Sequence, residues 1–266
     1  IKDVLDRFSG FDKDYSTWIN QCHGIASNFS LVSEDYNHST KINPYLFINQ
    51  FSEYLQENDI IVYDGGSIMN YVMQTFKIKK GQRLISSTGL ELPGFAIPGA
   101  IGVIQWSQNN PVYCLCEGQG VQLSLTELQT IATYQLPIKI MNFRSKGNAT
   151  IRKIQKDYFG SRYVGTDNEI LFGCPATEEI ANVFGIPVIE IKNPDKITDG
   201  LQEFISQKRS VICEIQVDSD QELNPRMGFT IKDDGKWLAK PLEDMYPFLE
   251  RDVLQNAMCI DLWEED

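Results

Sequence analysis

The chain contains 266 residues, of which 42% are hydrophobic and 23% charged, and its formal net charge is −12. It is long enough to bury a sizeable core, and its composition is ordinary for a globular protein. An acidic surface repels phosphate backbones and anionic lipids, which argues against binding to nucleic acid or to a membrane. There is no run of about 18 apolar residues and no signal-peptide pattern, so we expect a cytoplasmic protein without a membrane-spanning helix.

The six cysteines are scattered along the chain, and none forms a CxxC pair. Because only two histidines accompany them, we predict no zinc site and interpret the cysteines as reduced thiols packed inside a cytosolic protein. Cys114 and Cys116 alternate within an apolar run, and we expect them on opposite sides of a strand. A catalytic Cys–His pair remains an alternative that no spacing supports.

Hydrophobic spacing divides the chain into alternating strands and helices. Residues 1–40 are polar, and their apolar spacings predict two short helices, near residues 4–8 and 18–29, followed by a loop. Strands are predicted over residues 60–63, 83–86, 112–116, 138–143, 188–191 and 210–217. Helices are predicted over residues 44–55, from about 67 to 76, and over 97–106, 148–158, 175–184 and 195–207, with another that opens at Ser124.

The helix that opens at Ser124 carries a capping signal. Ser124 and Glu127 have the spacing of a capping box, in which each side chain bonds the backbone N–H of the other residue. We therefore expect the helix to begin at this serine, with Leu125, Leu128 and Ile131 on its apolar face.

Strands with near-continuous apolar runs, separated by helices, favour a parallel sheet covered on both faces. We predict a doubly wound α/β fold with a mostly parallel sheet, in which ligands bind outside the carboxyl ends of the strands. Residues 1–40 are predicted to end a preceding domain or to form linker helices, and residues 41–218 to form the α/β domain. Residues 219–266 are predicted to be an irregular C-terminal tail that packs on that domain or on a neighbour.

Two segments resemble a known family. Residues 86–102, SSTGLELPGFAIPGAIG, are similar to the loop and helix SGGLGTMGFGLPAAIG of acetolactate synthase and its relatives, which are thiamine-diphosphate (ThDP) enzymes. Residues 112–152 are similar, without a gap, to the region of these enzymes that contains GDGSFQMNLQELATI and NNNGYGMVR. The tail segment KPLEDMYP is also similar to that of bacterial members associated with surface-sugar pathways. The chain is identified by this resemblance as the C-terminal, diphosphate-binding domain of such an enzyme.

The resemblance implies a changed metal motif. In the family, the Asp of GDG and a later Asn hold a divalent cation that binds the cofactor's diphosphate. These positions fall on Gly118 and Ser145, which offer no carboxylate, so the resemblance implies no metal ligand in this chain. The bulky residue that props the cofactor falls on Pro93, whose ring also removes a backbone N–H.

Other family features are kept. Gly66 and Ser67 follow a strand and open a helix, as an anion-binding turn requires. The residues that the resemblance places around the cofactor are Gly66, Ser67, Pro93, Glu117, Gly118, Gln119, Gly120, Ser145 and Gly147.

Three interpretations of the changed motif stay open. A one-residue insertion would align Cys116-Glu117-Gly118 with GDG, so that Glu117 supplies the missing carboxylate. Alternatively, Arg144 or Lys146 could neutralise a phosphate directly. In the third interpretation, residues 118–120 form a backbone cradle for another phosphate-bearing ligand.

The resemblance implies one of two functions. The first is the ThDP-binding domain of an acetolactate synthase-like 2-oxo-acid decarboxylase or carboligase, a lyase or transferase with ThDP and Mg²⁺ as the family's cofactors, whose binding is impaired here. The second is a non-catalytic module that keeps the fold for assembly or regulation. In the family, the glutamate that activates ThDP comes from an N-terminal domain across a dimer. We therefore assign no catalytic residue to this chain and leave its activity open.

The missing glutamate also predicts partners. An N-terminal domain, in the same protein or in a separate subunit, would have to supply it. Because the family's sites lie between subunits, we expect a homo-oligomer, either a dimer or a tetramer.

Overall fold

The computed structural model describes residues 14–29, 32, 36, 40–107, 110–145, 149–166, 175–258 and 260–262. The chain divides into two compact units, of which the larger is Val32–Leu223 and the smaller combines Ile1–Leu31 with Asn224–Asp266. Helix α1 (Ser16–Asn28) lies in the smaller unit and matches the second helix predicted for the N-terminal region. The first predicted helix, near residues 4–8, lies outside the described residues.

The larger unit is built on a six-stranded sheet in which every pairing is parallel. Its strands run in the spatial order β2-β1-β3-β4-β6-β5. This arrangement confirms the predicted doubly wound α/β fold. The strands are β1 (Ile60–Tyr63), β2 (Arg83–Ile85), β3 (Val112–Glu117), β4 (Ile138–Arg144), β5 (Val188–Ile191) and β6 (Val211–Gln216).

Helices cover both faces of this sheet. Short 3-10 turns accompany them, at Thr88–Leu90, Ile104–Trp106 and Pro194–Lys196. The helices are α2 (Pro44–Tyr54), α3 (Ser67–Thr75), α4 (Ala96–Val103), α5 (Gln119–Leu123), α6 (Leu125–Tyr134), α7 (Ala149–Tyr158), α8 (Thr177–Phe184) and α9 (Ile197–Ser206).

Each face of the sheet has its own core. The first core joins α2, α3 and α9 to one face, and its largest fully buried side chains include Phe47, Phe51 and Phe204. The second core joins α4, α6 and α8 to the other face. Alternate residues of β3 supply the two cores, because successive side chains of a strand point to opposite faces.

Cys114 and Cys116 both lie in the second core, and their Sγ atoms are 3.5 Å apart. The expectation that they face opposite sides of the strand is therefore wrong. Residues two apart in a strand share a face, since the side-chain period of a strand is two residues.

Helix α6 begins after Ser124, as predicted, but the capping box does not form. Ser124 makes no side-chain capping bond, and its hydroxyl donates instead to the backbone oxygen of Gly94 at 2.5 Å. The preceding helix α5, which the sequence pattern did not predict, also ends at this serine. The hydroxyl therefore ties the junction of two helices to the loop that precedes α4.

The smaller unit contains short elements within the segment predicted as an irregular tail. Strands β7 (Phe229–Ile231) and β8 (Trp237–Ala239) form an antiparallel hairpin, and α10 (Arg251–Ala257) follows. Arg251 forms a bidentate ion pair with Asp244, with nitrogen-to-oxygen distances of 2.7 and 2.8 Å. Across the described ranges of the whole chain, no helix is both long and apolar enough to cross a membrane.

Candidate functional site

The candidate site lies where the order of the sheet reverses. Strand β1 stands between β2 and β3, so the chain leaves β1 toward one edge of the sheet and later returns on its other side. A reversal of this kind opens a crevice outside the carboxyl ends of β1 and β3. Two turns meet there: the first turn (residues 64–66) follows β1, and the second turn (residues 117–120) ends β3 and begins α5. The Asp64 N–H donates to the Leu115 oxygen at 3.0 Å and so joins the first turn to β3.

The first turn requires glycine at two positions. Gly66 has a φ of 87°, in the left-handed region, and it immediately precedes the first residue of α3. A Cβ atom on Gly65 would lie 2.1 Å from the carbonyl carbon of Glu91, so the loop before α4 leaves no room for a side chain. The chain can therefore turn sharply from β1 into α3, and the first N–H groups of this helix are presented at the crevice.

The carboxylate of Glu117 bonds the N-terminus of α3. Its Oε2 atom accepts hydrogen bonds from the N–H of Ser67 at 2.9 Å and from the N–H of Ile68 at 3.4 Å. Gly66, the residue before the helix, has no side chain with which to cap it. Glu117 thus caps a helix that begins 50 residues earlier in the chain. A carboxylate suits this position because the N-terminus of a helix carries a partial positive charge.

Glu117 is part-buried, and three effects that differ in direction act on its pKa. Loss of solvent around the carboxylate is the largest effect and raises the pKa, while hydrogen bonds from Ser67 and Ile68 lower it. The nearby charge of Asp64 raises it further. The net shift is upward, so the donors at the helix terminus only partly offset the cost of desolvating this carboxylate.

Asp64 is a second acidic group at the crevice, and the sequence interpretation missed it. Its side chain is buried, and its Oδ1 atom accepts a hydrogen bond from the Ala96 N–H at 2.7 Å. Its Oδ2 atom has no hydrogen-bond partner in the described part of the chain. Burial raises the pKa of this carboxyl from its ordinary value of 3.8 to about 6, against hydrogen bonds such as that from Ala96. An Asp directly after a wholly apolar strand was the available signal.

The second turn contains two glycines in different surroundings. Gly118 has a φ of 40°, and a Cβ atom on it would meet nothing within 4 Å. Its N–H donates to the Phe143 oxygen at 2.9 Å and holds the turn against β4. A Cβ atom on Gly120 would lie 1.9 Å from Oδ2 of Asp64. The charge of that carboxylate would oppose a phosphate at Gly120, which disfavours a backbone cradle over residues 118–120.

Of the remaining predicted residues, Gln119 lies within the second turn, and the others lie outside the two turns. Pro93 is exposed in the loop before α4, Gln119 is the first residue of α5, and Ser145 directly follows β4. Gly147, together with Lys146, lies outside the described residues. Among the predicted site residues, Ser67 is hydrogen-bonded to Glu117, and Gly66 lies against the same carboxylate.

Arg144 is engaged with another residue of the sheet. Its Nη1 atom lies 3.4 Å from both carboxylate oxygens of Glu214, on the neighbouring strand β6. Phe143 belongs to the first core, so the side chain of the next residue, Arg144, projects from the opposite face of the sheet. Glu117 lies two residues after Leu115, another residue of the first core, so its side chain is on the first-core face. This position disfavours a role for Arg144 in neutralising a phosphate at the N-terminus of α3.

The donor set for a metal ion is small. Among the described residues, no group of three or more His, Cys, Asp or Glu side chains could hold a metal ion. Gly118 has no side chain, and Ser145 offers a neutral hydroxyl. The two carboxylates of the crevice, Glu117 and Asp64, are each bonded to backbone N–H groups.

Comparisons with known proteins cover the whole of this site. Residues 64–215 match the family described as "Thiamine pyrophosphate enzyme, C-terminal TPP binding domain". The chain is 29% identical over 187 residues to the acetolactate synthase large subunit of Pyropia yezoensis, a match that covers 70% of this chain and 31% of the relative. It is 25% identical over 228 residues to the acetolactate synthase large subunit of Lactococcus lactis subsp. lactis, covering 85% of this chain and 39% of the relative.

A third relative is the acetolactate synthase isozyme 3 large subunit of Escherichia coli, which is 24% identical over 206 residues, or 76% of this chain and 35% of the relative. The chain therefore spans 31–39% of the length of these curated relatives. The family match begins at the first turn and ends in β6, so both turns of the crevice and strands β2 to β5 fall inside it. The chain belongs to the family of thiamine pyrophosphate enzymes, of which it contains the C-terminal TPP-binding domain.

Proposed function

We propose that this chain is the C-terminal domain of an acetolactate synthase-like protein in which the binding of ThDP and Mg²⁺ is impaired. One observation carries the proposal: the position that corresponds to the cation-binding Asp of the family is Gly118, which has no side-chain oxygen. Ser145, at the position of the second ligand, has no carboxylate either.

The donor set does not fit a Mg²⁺–diphosphate complex. Mg²⁺ requires oxygen ligands in near-octahedral geometry and usually takes one or two protein carboxylates. The second turn contains one carboxylate, Glu117, and it is bonded to the N-terminus of α3. A diphosphate without its cation would also face two acidic side chains, Glu117 and Asp64, across the same crevice. We therefore derive no catalytic step through ThDP for this chain.

The wider features of the protein are part of the same proposal. The larger unit, Val32–Leu223, contains the whole of the predicted α/β domain over residues 41–218. We place the chain in a cytoplasmic homo-oligomer, with an N-terminal domain in the same protein or in a separate subunit. Decarboxylase or carboligase activity on a 2-oxo acid would require that domain and a functional cofactor site.

A non-catalytic module for assembly or regulation is the second candidate function. The observation that favours it is the contrast between the changed donor set and the intact packing beside it. Ile61, Leu115 and Phe47 are fully buried in the first core, to which the strands before both turns contribute. The fold is thus kept where the metal ligands are absent, as expected for a domain with a structural role.

Titration calorimetry of this chain with ThDP, in the presence and absence of Mg²⁺, tests the proposal. We expect a Kd weaker than about 1 mM, corresponding to about −4 kcal/mol, and no dependence on Mg²⁺. Thiamine, which lacks the diphosphate, is the matched ligand control. Micromolar binding of ThDP that requires Mg²⁺ would contradict the proposal.

A further inference from the structure

We infer that Glu117 is an internal occupant of the anion-binding position at the N-terminus of α3, and that removing its carboxylate opens this position to a phosphate-bearing ligand. The inference deepens the proposed function and rests on it for the identity of the site. The two rest on different residues, however. The proposed function depends on the missing metal ligands at Gly118 and Ser145, whereas this inference depends on the hydrogen bonds of Glu117.

The donors converge on one point in space. The N–H groups of Ser67 and Ile68 both reach the same oxygen of Glu117, at 2.9 and 3.4 Å. Adjacent N–H groups at the start of a helix, aimed at one point after a glycine turn, form the arrangement with which proteins bind phosphate. Helix α3 spans nine residues, long enough for its dipole to contribute at this end.

The acceptor reaches this point because of the strand order. Strands β1 and β3 are neighbours, and Tyr63 pairs with Leu115 in their register. Glu117 lies two residues beyond Leu115, so its side chain extends beside the first turn. A Cβ atom on Gly66 would come within 3.2 Å of Glu117 Oε2, which shows how closely the carboxylate fills the space in front of the helix.

The residue type is the unexpected feature. In the resemblance to the GDG motif, Glu117 falls on the first glycine. Glycine at this position would remove the acceptor that both N–H groups have in this chain. A glutamate supplies the acceptor from within the chain, and its negative charge opposes any second anion at the same place. The exchange therefore fills the space that a bound phosphate would need.

The cost of keeping the Glu117 carboxylate ionised is consistent with its replacement by a phosphate at the N-terminus of α3. The carboxylate of Glu117 is desolvated, and the charge of Asp64 adds to the cost of ionising it. The Ser67 hydroxyl remains satisfied by Thr150, 3.1 Å away, whether or not Glu117 is present. Removal of Glu117 leaves two N–H donors that a phosphate oxygen satisfies, without rebuilding the rest of the turn.

The test uses the full chain, with inorganic pyrophosphate as the probe. We compare the wild-type protein with Glu117→Ala and with Glu117→Gln, which keeps the shape of the side chain but loses its charge. Glu57→Gln is the matched control, because it changes the net charge by the same amount at an exposed position before the amino end of β1. Binding is measured by calorimetry at constant ionic strength, and the amide resonances of Ser67 and Ile68 report its location.

We expect Glu117→Ala to bind pyrophosphate at least about tenfold more tightly than the wild type, because two donors become available to the anion. Glu117→Gln should show a smaller gain, since a neutral amide competes less strongly than a carboxylate, and Glu57→Gln should show none. The Ser67 and Ile68 amide resonances should shift with pyrophosphate in the Glu117 variants.

Unchanged pyrophosphate affinity in a folded Glu117→Ala protein would overturn the inference. If that variant does not fold, Glu117→Gln decides, and a gain no larger than that of Glu57→Gln would likewise overturn it. The outcome is separable from that of the proposed function. Metal-dependent binding of ThDP to the wild type that is lost in Glu117→Ala would identify Glu117 as a cation ligand and reject both. The same binding together with a gain in pyrophosphate affinity would reject only the proposed function.

Discussion

The first turn presents backbone N–H groups to the crevice, whereas the second turn presents a carboxylate to the same space. The first turn has no space for a side chain at Gly65, because its Cβ atom would collide with the backbone of Glu91. The second turn is open at Gly118, where an added Cβ atom meets nothing within 4 Å. The donors of an anion site can thus be kept under tight steric constraint while the neighbouring turn, under less constraint, changes the chemistry of the site.

The largest expected effect is a loss of stability when a side chain is added at the glycines of the two turns. Gly65→Ala should lower the free energy of unfolding by more than about 3 kcal/mol, because its Cβ atom would lie 2.1 Å from a backbone carbon. Gly118→Ala should cost less, about 2 kcal/mol, since only its backbone conformation, with a φ of 40° and a ψ of −84°, opposes a side chain. Chemical denaturation of both variants measures the difference. Equal losses would show that the two turns are constrained alike.

The next effect concerns the buried carboxylate of the first turn. The pKa of Asp64 is about 6 in the folded chain, above its ordinary value of 3.8, so the folded state binds this proton more tightly. Its contribution to stability is therefore fully present below about pH 4 and is lost as the pH rises through about 6. Between these limits the wild type should lose up to about 3 kcal/mol relative to Asp64→Asn, whose amide oxygen still accepts from Ala96.

Urea denaturation of the wild type and of Asp64→Asn, at several pH values between 4 and 7, measures this change. The difference between the two proteins cancels the titration of most other carboxyl groups. A difference that stays constant across the range would show that Asp64 keeps an ordinary pKa in the folded chain.

The smallest effect concerns the hydroxyl at the start of α3. Ser67→Ala removes its hydrogen bond with Thr150, 3.1 Å away, and its side-chain hydrogen bond to Glu117, but leaves the Ser67 N–H bonded to Glu117. A double-mutant cycle with Thr150→Val should give a coupling free energy of about 1 kcal/mol. A coupling near zero would mean that the two hydroxyls do not stabilise the first turn together.

The fold could be predicted from the sequence to the extent that it depends on local patterns. Strands β1 and β5 begin and end at the predicted residues, because short apolar runs are bounded there by polar residues, Gly or Pro. Helix α5 was not predicted, because it has only five residues and lies between Gly118 and Ser124. The capping box at Ser124 was wrong because the hydroxyl bonds Gly94, 30 residues earlier, and a local spacing does not reveal such a partner.

The candidate site was predictable in its location but not in its contacts. The resemblance placed Gly66, Ser67 and Glu117 around one ligand, and these residues do meet. The sequence suggested Glu117 as a residue around the cofactor and as a substitute for the missing cation ligand, but not as the cap of α3. Its contact with α3 depends on β1 and β3 being neighbours, which spacing along the chain does not reveal. Asp64 was missed because its raised pKa arises from burial beneath α4 and against Gly120.

The position of β6 has a consequence for how the chain acquires its sheet during synthesis. Strand β6 lies between β4 and β5, although it follows both in the sequence, and β5 is an edge strand whose neighbour is β6. Residues 188–191 therefore leave the ribosome before the strand with which they pair. Until residues 211–216 emerge, the growing sheet ends at β4, and a nascent chain stopped before that point lacks two strands of the six rather than one.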